Sequence, residues 1–108
     1  MNTMSKRERL EAAISDGGVD RPPVALWRHF PGDDQDPLEL AASTVAFQRQ
    51  YDWDLIKVTP ASSFCVRDWG VEDRWLGNDE GTREYTHRPI GDPAEWHNLW
   101  PLKPEEGS

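Results

Sequence analysis

Arg21-Pro22-Pro23-Val24-Ala25-Leu26-Trp27-Arg28-His29-Phe30-Pro31-Gly32 is the stretch on which the reading of this chain turns. Its prolines set an extended approach, because each fixes φ at about −65° and withholds an N–H donor. Four apolar residues follow with no polar alternation. That is the pattern of a short strand covered on both faces, as in a parallel sheet. Arg28 and His29 stand where the run ends. A covered strand delivering polar side chains at its carboxyl end is how a β/α enzyme builds the wall of a pocket. Any strand can also end in Arg-His without a ligand to meet.

Upstream, Ser5-Lys6-Arg7-Glu8 reads as a capping box, in which hydroxyl and carboxylate each take the other residue's backbone N–H. Leu10, Ala13 and Ile14 follow at helical spacing as one apolar stripe, and Gly17-Gly18 ends the helix. Downstream, Asp36-Pro37-Leu38-Glu39 opens a second helix, with Asp36 as cap and Pro37 in the first turn. Residues 38, 41, 42 and 45, with Leu40, Phe47 and Tyr51 alongside, predict a broad buried face on a helix running to about Gln50.

Asp54-Leu55-Ile56-Lys57-Val58 reads as a second strand, stopped by Pro60, and residues 59–63 form a small polar loop at its carboxyl end. Asp68-Trp69-Gly70-Val71 suggests a turn with a short helix before it. Residues 83–88 have the character of an edge or hairpin strand. Asp92-Pro93-Ala94-Glu95 repeats the earlier cap, which predicts a third helix to about Leu99. Strand, helix and strand in that order, with a crossover of this length, imply a parallel α/β arrangement.

The formal charge is −8, with 20 acidic against 12 basic residues, which argues against a nucleic-acid backbone or an anionic membrane as partner. The first ten residues are charged and lack an apolar core, so no signal peptide is visible, and no stretch approaches a membrane span. The single Cys65 cannot form an internal disulfide, which fits a reducing cytoplasm. Alone, it reads as a small buried residue. The three histidines and one cysteine lack zinc-site spacing; His87 and His97 read as exposed or structural. Six tryptophans sit in a chain that is only 36% hydrophobic. Such aromatics either pack on each other in a small core or form surfaces that a ligand, a partner subunit or further protein covers.

Ser5-Lys6-Arg7-Glu8-Arg9-Leu10, Val19-Asp20-Arg21-Pro22-Pro23-Val24 and Trp27-Arg28 together resemble the opening of the uroporphyrinogen decarboxylase superfamily. Tyr51-Asp52-Trp53-Asp54-Leu55-Ile56-Lys57-Val58 is similar to that family's second strand, and Asp68-Trp69-Gly70-Val71-Glu72 resembles a turn further on. The resemblance spans roughly residues 5–102. It implies an α/β fold, a partial (β/α)8 TIM barrel made of the first two to three β/α units with an N-terminal helix. A whole barrel needs ~200 residues or more, so residues 1–108 would be its amino-terminal part.

Two activities follow from the resemblance. One is cofactor-independent decarboxylation of tetrapyrrole acetate side chains, as in porphyrin biosynthesis. The other is methyl transfer to or from a corrinoid or thiol, with zinc held by residues late in the chain. A non-catalytic binding module is the reading from outside the family. The implied partner is a small-molecule substrate, a tetrapyrrole for the decarboxylases, with a homo-oligomer allowed and neither nucleic acid nor membrane expected.

The candidate substrate-binding residues are Arg28, His29, Thr59, Ser62 and Ser63. Arg28 matches the first arginine of the family's strand-one motif, and a forked guanidinium suits a carboxylate. An ion pair with Asp33, Asp34 or Asp36 is its structural alternative. His29 stands where the motif has glutamine and Gly32 where it has a second arginine. Asp33 and Asp34 follow, and would repel a polycarboxylate if they faced it. The family's aspartate after strand two falls near Ala61, in Thr59-Pro60-Ala61-Ser62-Ser63, where Thr59, Ser62 and Ser63 offer hydroxyls and no fixed negative charge. No catalytic residue is assigned.

Overall fold

A computed structural model describes residues 2–107. Its order is α1 (Lys6–Ile14), α2 (Pro37–Tyr51), β1 (Glu72–Trp75) and β2 (Arg83–His87), with short 3₁₀ turns between and after them. The only sheet among the described residues is the β1–β2 pair, and it is antiparallel. This overturns the partial (β/α)8 barrel: residues 24–27 and 54–58 form no strand ladder, and residues 54–55 lie in a bend.

The reason lies in what surrounds those two segments. They run side by side in the same direction. The Asp54 N–H donates to the Val24 carbonyl at 2.9 Å, Leu26 and Ile56 border one small void, and Lys57 Nζ lies 4.5 Å from the centre of the Trp27 ring. One backbone hydrogen bond is not a ladder. The Val24 N–H is taken by the Asp54 carboxylate at 2.7 Å instead. Pro22, Pro23, Pro31 and Pro60 remove further donors at the ends. A parallel pair needs sheet neighbours and cover on both faces, and here Leu26 is 59% and Val58 is 58% exposed.

What holds the amino-terminal half together is charge. Arg9, 4% exposed, donates from Nε and Nη2 to the two oxygens of Asp20 at 2.7 and 2.8 Å, and from Nη1 to Asp54 at 2.6 Å. Arg21 grips the same Asp54 carboxylate with both terminal nitrogens, at 2.6 and 3.0 Å. The Met4 and Arg21 N–H groups complete Asp20. Lys6 pairs with Asp52 alongside. The buried side of α1 is therefore Arg9, and the expected Leu10–Ala13–Ile14 stripe is not a core face: Ile14 is 85% exposed.

The capping residues behave as their chemistry dictates. Ser5 and Glu8 form the reciprocal box on α1, and the Asp36 carboxylate accepts from the Leu38 and Glu39 N–H groups at the start of α2. The Asp92–Glu95 box also forms, but the element it opens is a 3₁₀ helix, Pro93–Asn98, rather than an α-helix. Helix α2 reaches Tyr51, one residue past expectation. Its broad buried face does not appear, since Thr44 is its sole buried residue and Leu38 and Val45 are exposed. Cover comes instead from an aromatic cluster at its end: Phe47 meets Phe30, Tyr51 and Trp53 with centroids 4.9–6.0 Å apart, and Tyr51 stacks on Trp53. Cys65 is exposed, not a buried filler. No helix among the described residues is long and apolar enough to cross a membrane.

The Arg9–Asp20–Asp54–Arg21 cluster carries a pH signature. Asp20 is held well below the ordinary 3.8, first by the Arg9 guanidinium, and Asp54 likewise, first by Arg21. A carboxylate with a depressed folded pKa adds stability above its unfolded value and loses it as pH falls through the window below. The amino-terminal half is therefore expected to be stable at neutral pH and to unravel on acidification below about pH 4, read by tryptophan fluorescence. Asp54→Asn, which leaves the half-exposed Arg21 without its carboxylate and buried Arg9 with Asp20 alone, is expected to lower the melting temperature at pH 7 by about 5–10 °C, measured by circular dichroism.

Candidate functional site

The loops that carry the candidate residues lie between two polar anchors. The first is the arginine–aspartate cluster, from which residues 24–28 and 55–58 emerge. The second is built on the hairpin. Arg83 Nε lies 2.8 Å from Asp73 Oδ2 with both side chains nearly enclosed. Asp73 is held below its ordinary pKa, chiefly by Arg83 and also by the Ser63 hydroxyl and the nearby charge of Arg67. Cross-strand Arg74 and Glu84 pair at 2.6 Å on the open side. The seven-residue connection is closed by Asn78, whose side chain exchanges two 2.9 Å bonds with the Thr82 backbone, while its carbonyl accepts from the Trp75 indole.

The first candidate loop is pressed against this hairpin. A Cβ on Gly81 would lie 3.1 Å from the His29 Cβ and 3.3 Å from Pro31 Cγ, and Gly81 has φ +75°. Gly32, with φ +88°, faces the Trp75 ring. Only glycine permits both the turn and this approach.

Against that frame the five candidate residues separate. Ser63 is buried on Asp73 and holds the hairpin, so it is an anchor rather than a ligand group. His29 packs on Gly81, and its Nδ1 is enclosed without a hydrogen-bond partner. The Thr59 hydroxyl is also enclosed and unpartnered. Ser62 is exposed. Arg28 is exposed and makes none of the ion pairs offered by Asp33, Asp34 or Asp36. Its Nε donates to the His29 carbonyl at 2.9 Å and its guanidinium lies 5.4 Å from the Phe30 ring centre. Of the acidic trio, Asp33 accepts from the Ser43 hydroxyl, Asp34 from the Gln35 amide, and Asp36 caps α2.

The terminal guanidinium nitrogens of Arg28 thus make no hydrogen bond or ion pair among the described residues, while the three carboxylates are each engaged elsewhere. Lys57 over Trp27 supplies a second cation on an aromatic ring close by in the chain's parallel pair of segments. Lys57 carries no site signal in the sequence. Its alternation with Leu55, Ile56 and Val58 was a signal for a strand face, not for a ring thirty residues away.

A separate groove of about 620 Å³ lies at the carboxyl-terminal end, with Trp69, Tyr85, Arg88, Ile90, Trp96 and Leu99 among its walls. Arg88 leans over Tyr85, 5.5 Å from its ring centre. The six tryptophans were the only sequence signal for it.

The described residues contain no cluster of three or more His, Cys, Asp or Glu arranged to hold a metal. No family model, curated protein or solved structure matches the chain.

The Gly81–His29 contact yields a direct test. Gly81→Ala is expected to destabilise the chain by about 1–2 kcal/mol in urea unfolding, through its positive φ and the encroachment on His29 and Pro31. Gly107→Ala, where φ is −66° and a Cβ meets nothing closer than 3.4 Å, serves as the neutral comparison.

Proposed function

We propose that the chain is a uroporphyrinogen decarboxylase-like protein that engages a tetrapyrrole carboxylate through Arg28. The observation that carries this reading is that the residues of the resemblance act as one unit. Arg9, Asp20, Arg21, Val24 and Asp54 come from three separate stretches of the similarity, and all five meet in a single cluster around buried Arg9 and Asp54. Coincidental matches scattered over fifty residues have no reason to converge. Arg28 follows four residues after Val24, with donors available and its guanidinium over the Phe30 ring.

In such a reaction Arg28 is suited to hold an acetate or propionate arm by charge-assisted hydrogen bonds, and to steady charge as carbon dioxide leaves. The enclosed and unpartnered His29 Nδ1 and Thr59 hydroxyl are polar groups that a ligand reaching these loops would be able to satisfy. No acid stands in residues 59–63, so a fixed negative charge beneath the pyrrole nitrogens has to come from another part of the enzyme.

The test is titration of the chain with uroporphyrin, followed by tryptophan quenching, and anaerobic incubation with uroporphyrinogen with chromatographic counting of the remaining carboxylates. Arg28→Ala is expected to weaken binding about tenfold, the loss of one charge-assisted contact. Binding unchanged in that variant, or none by the wild type, overturns the reading.

A non-catalytic binding module is favoured by one observation, the apolar groove around Trp96 with Arg88 at its side. Quenching abolished by Trp96→Ala and indifferent to Arg28→Ala selects that alternative.

A further inference from the structure

We propose that the groove at the carboxyl-terminal end is a binding site for a small aromatic monocarboxylate, with Arg88 as the partner of its single negative charge. The inference goes beyond the ligand reading at Arg28 and does not rest on it. Size comes first. At about 620 Å³ the groove falls within the roughly 300–1,000 Å³ of sites that take small organic ligands. Its lining is apolar and aromatic apart from one charged side chain, Arg88. Ligand sites are commonly built so, with an apolar wall giving affinity and a few placed polar groups giving orientation.

Local bonding already sets the walls. Tyr85 stands on β2 opposite Asp73, in a strand pair clamped by the Asp73–Arg83 bridge. Trp69 closes a 3₁₀ turn, its N–H donating to the Val66 carbonyl at 3.1 Å, and Trp100 backs its ring at 6.4 Å. Trp96 stands on the 3₁₀ helix Pro93–Asn98, which the Asp92–Glu95 capping box fixes. The Glu95 carboxylate also accepts from the Gly91 N–H at 2.6 Å, so the turn before that helix is held as well. Walls ordered in advance spare a ligand the cost of ordering them.

Charge selects the class of ligand. The chain carries 20 acidic residues and a formal charge of −8, yet no carboxylate lines this groove. The Arg88 guanidinium lies 5.5 Å from the Tyr85 ring centre and enters no ion pair among the described residues. Acidic residues close to it in sequence are engaged elsewhere: Glu84 pairs with Arg74, and Asp92 and Glu95 accept backbone N–H groups. A guanidinium against apolar surface and without a counter-charge suits one carboxylate, which its forked donors match. A polyanion would meet the negative field of the rest of the molecule, so the ligand carries one charge. Its body is aromatic because Trp69, Tyr85 and Trp96 present ring faces and edges, which reward an aromatic guest beyond the area it buries and give an acyl chain no such gain.

Isothermal titration calorimetry of the full chain with naphthoate, and with naphthamide as its neutral counterpart, tests the proposal. The expected result is saturable binding of naphthoate with a Kd on the order of 100 µM, and of naphthamide about tenfold more weakly. The difference between the two narrows as salt is added. Arg88→Gln is expected to weaken naphthoate about tenfold and leave naphthamide unchanged, which separates loss of a charge contact from loss of the groove. Trp96→Ala weakens both, and Arg7→Ala, a surface arginine on α1, weakens neither. Should a substitution disturb folding, circular dichroism reports it, and the naphthoate–naphthamide difference in the wild type decides alone. Equal affinity for the two probes, a naphthoate affinity indifferent to Arg88→Gln, dodecanoate bound as tightly as naphthoate, or no saturable binding overturns the proposal. No tetrapyrrole is present, so the outcome is separate from that of the uroporphyrin titration.

Discussion

The carboxylate of Asp54 is the constraint on which the amino-terminal half depends. Its two oxygens accept four hydrogen bonds, from Arg9, twice from Arg21, and from the Val24 N–H. Each donor lies on a different part of the chain: a helix, the turn after it, and the extended segment beyond. Asp20 is saturated in the same way by Arg9 and two backbone amides. Two arginines and two aspartates together carry no net charge, which is what lets Arg9 and Asp54 sit almost out of water. Removing ions from solvent is costly, and that cost is offset only where every lone pair and proton is used. Here the bonding is complete, so the cluster fixes geometry: it sets where residues 24–28 begin and where residues 55–58 begin.

The carboxyl-terminal half repeats the principle on a smaller scale. Asp73 and Arg83 join the strands across the hairpin, and Ser63 ties the pair to the end of the second loop. Gly81 and Gly32 then let the hairpin lie close on His29, Pro31 and Trp75. The candidate loops are held at both ends by polar contacts while their middles stay open. Arg28 and Ser62 lie in those open middles. Ser63, at an anchor, does not.

Local chemistry in the sequence announced the local structure. Ser5–Glu8, Asp36–Pro37 and Asp92–Glu95 all cap what they were expected to cap, because a cap depends on residues within three positions of each other. The strand at 83–88 appeared as β2 for a similar reason, while its partner β1, Glu-Asp-Arg-Trp, was missed because three of its four residues are polar and it pairs through charge. The long-range expectations failed together. Apolar residues at helical spacing on α1 and α2 predict a core, but periodicity reports only what a face is able to bury. Whether it is buried depends on the partner element, and here Arg9 and Thr44 took the interior positions. The run from Val24 to Trp27 has the composition of a covered strand without the covering. Within the candidate site, Arg28 was legible from its position after the run. The role of Ser63 was not, since its partner Asp73 sits ten residues on in an unrecognised strand.

A chain stabilised by saturated ion clusters rather than by a core has a particular relation to its own apolar residues. Ala61 is the one apolar residue buried among those described, so the larger side chains contribute little to holding the halves together. They are then free to be arranged for contact with something outside. The segregation of charge follows the same logic. Acidic residues occupy caps, the hairpin loop and the tail, where they make local bonds or meet solvent, and are missing from the two extended segments. A solvated surface has no need of that partition. A surface that exchanges water for another molecule does, because each carboxylate buried there without a partner would cost more than an apolar side chain returns. Arg28 and Lys57 are the exceptions that suit this account. Their charged ends lie over aromatic rings, Arg28 on Phe30 and Lys57 on Trp27, so each cation is held against apolar surface and not against a carboxylate.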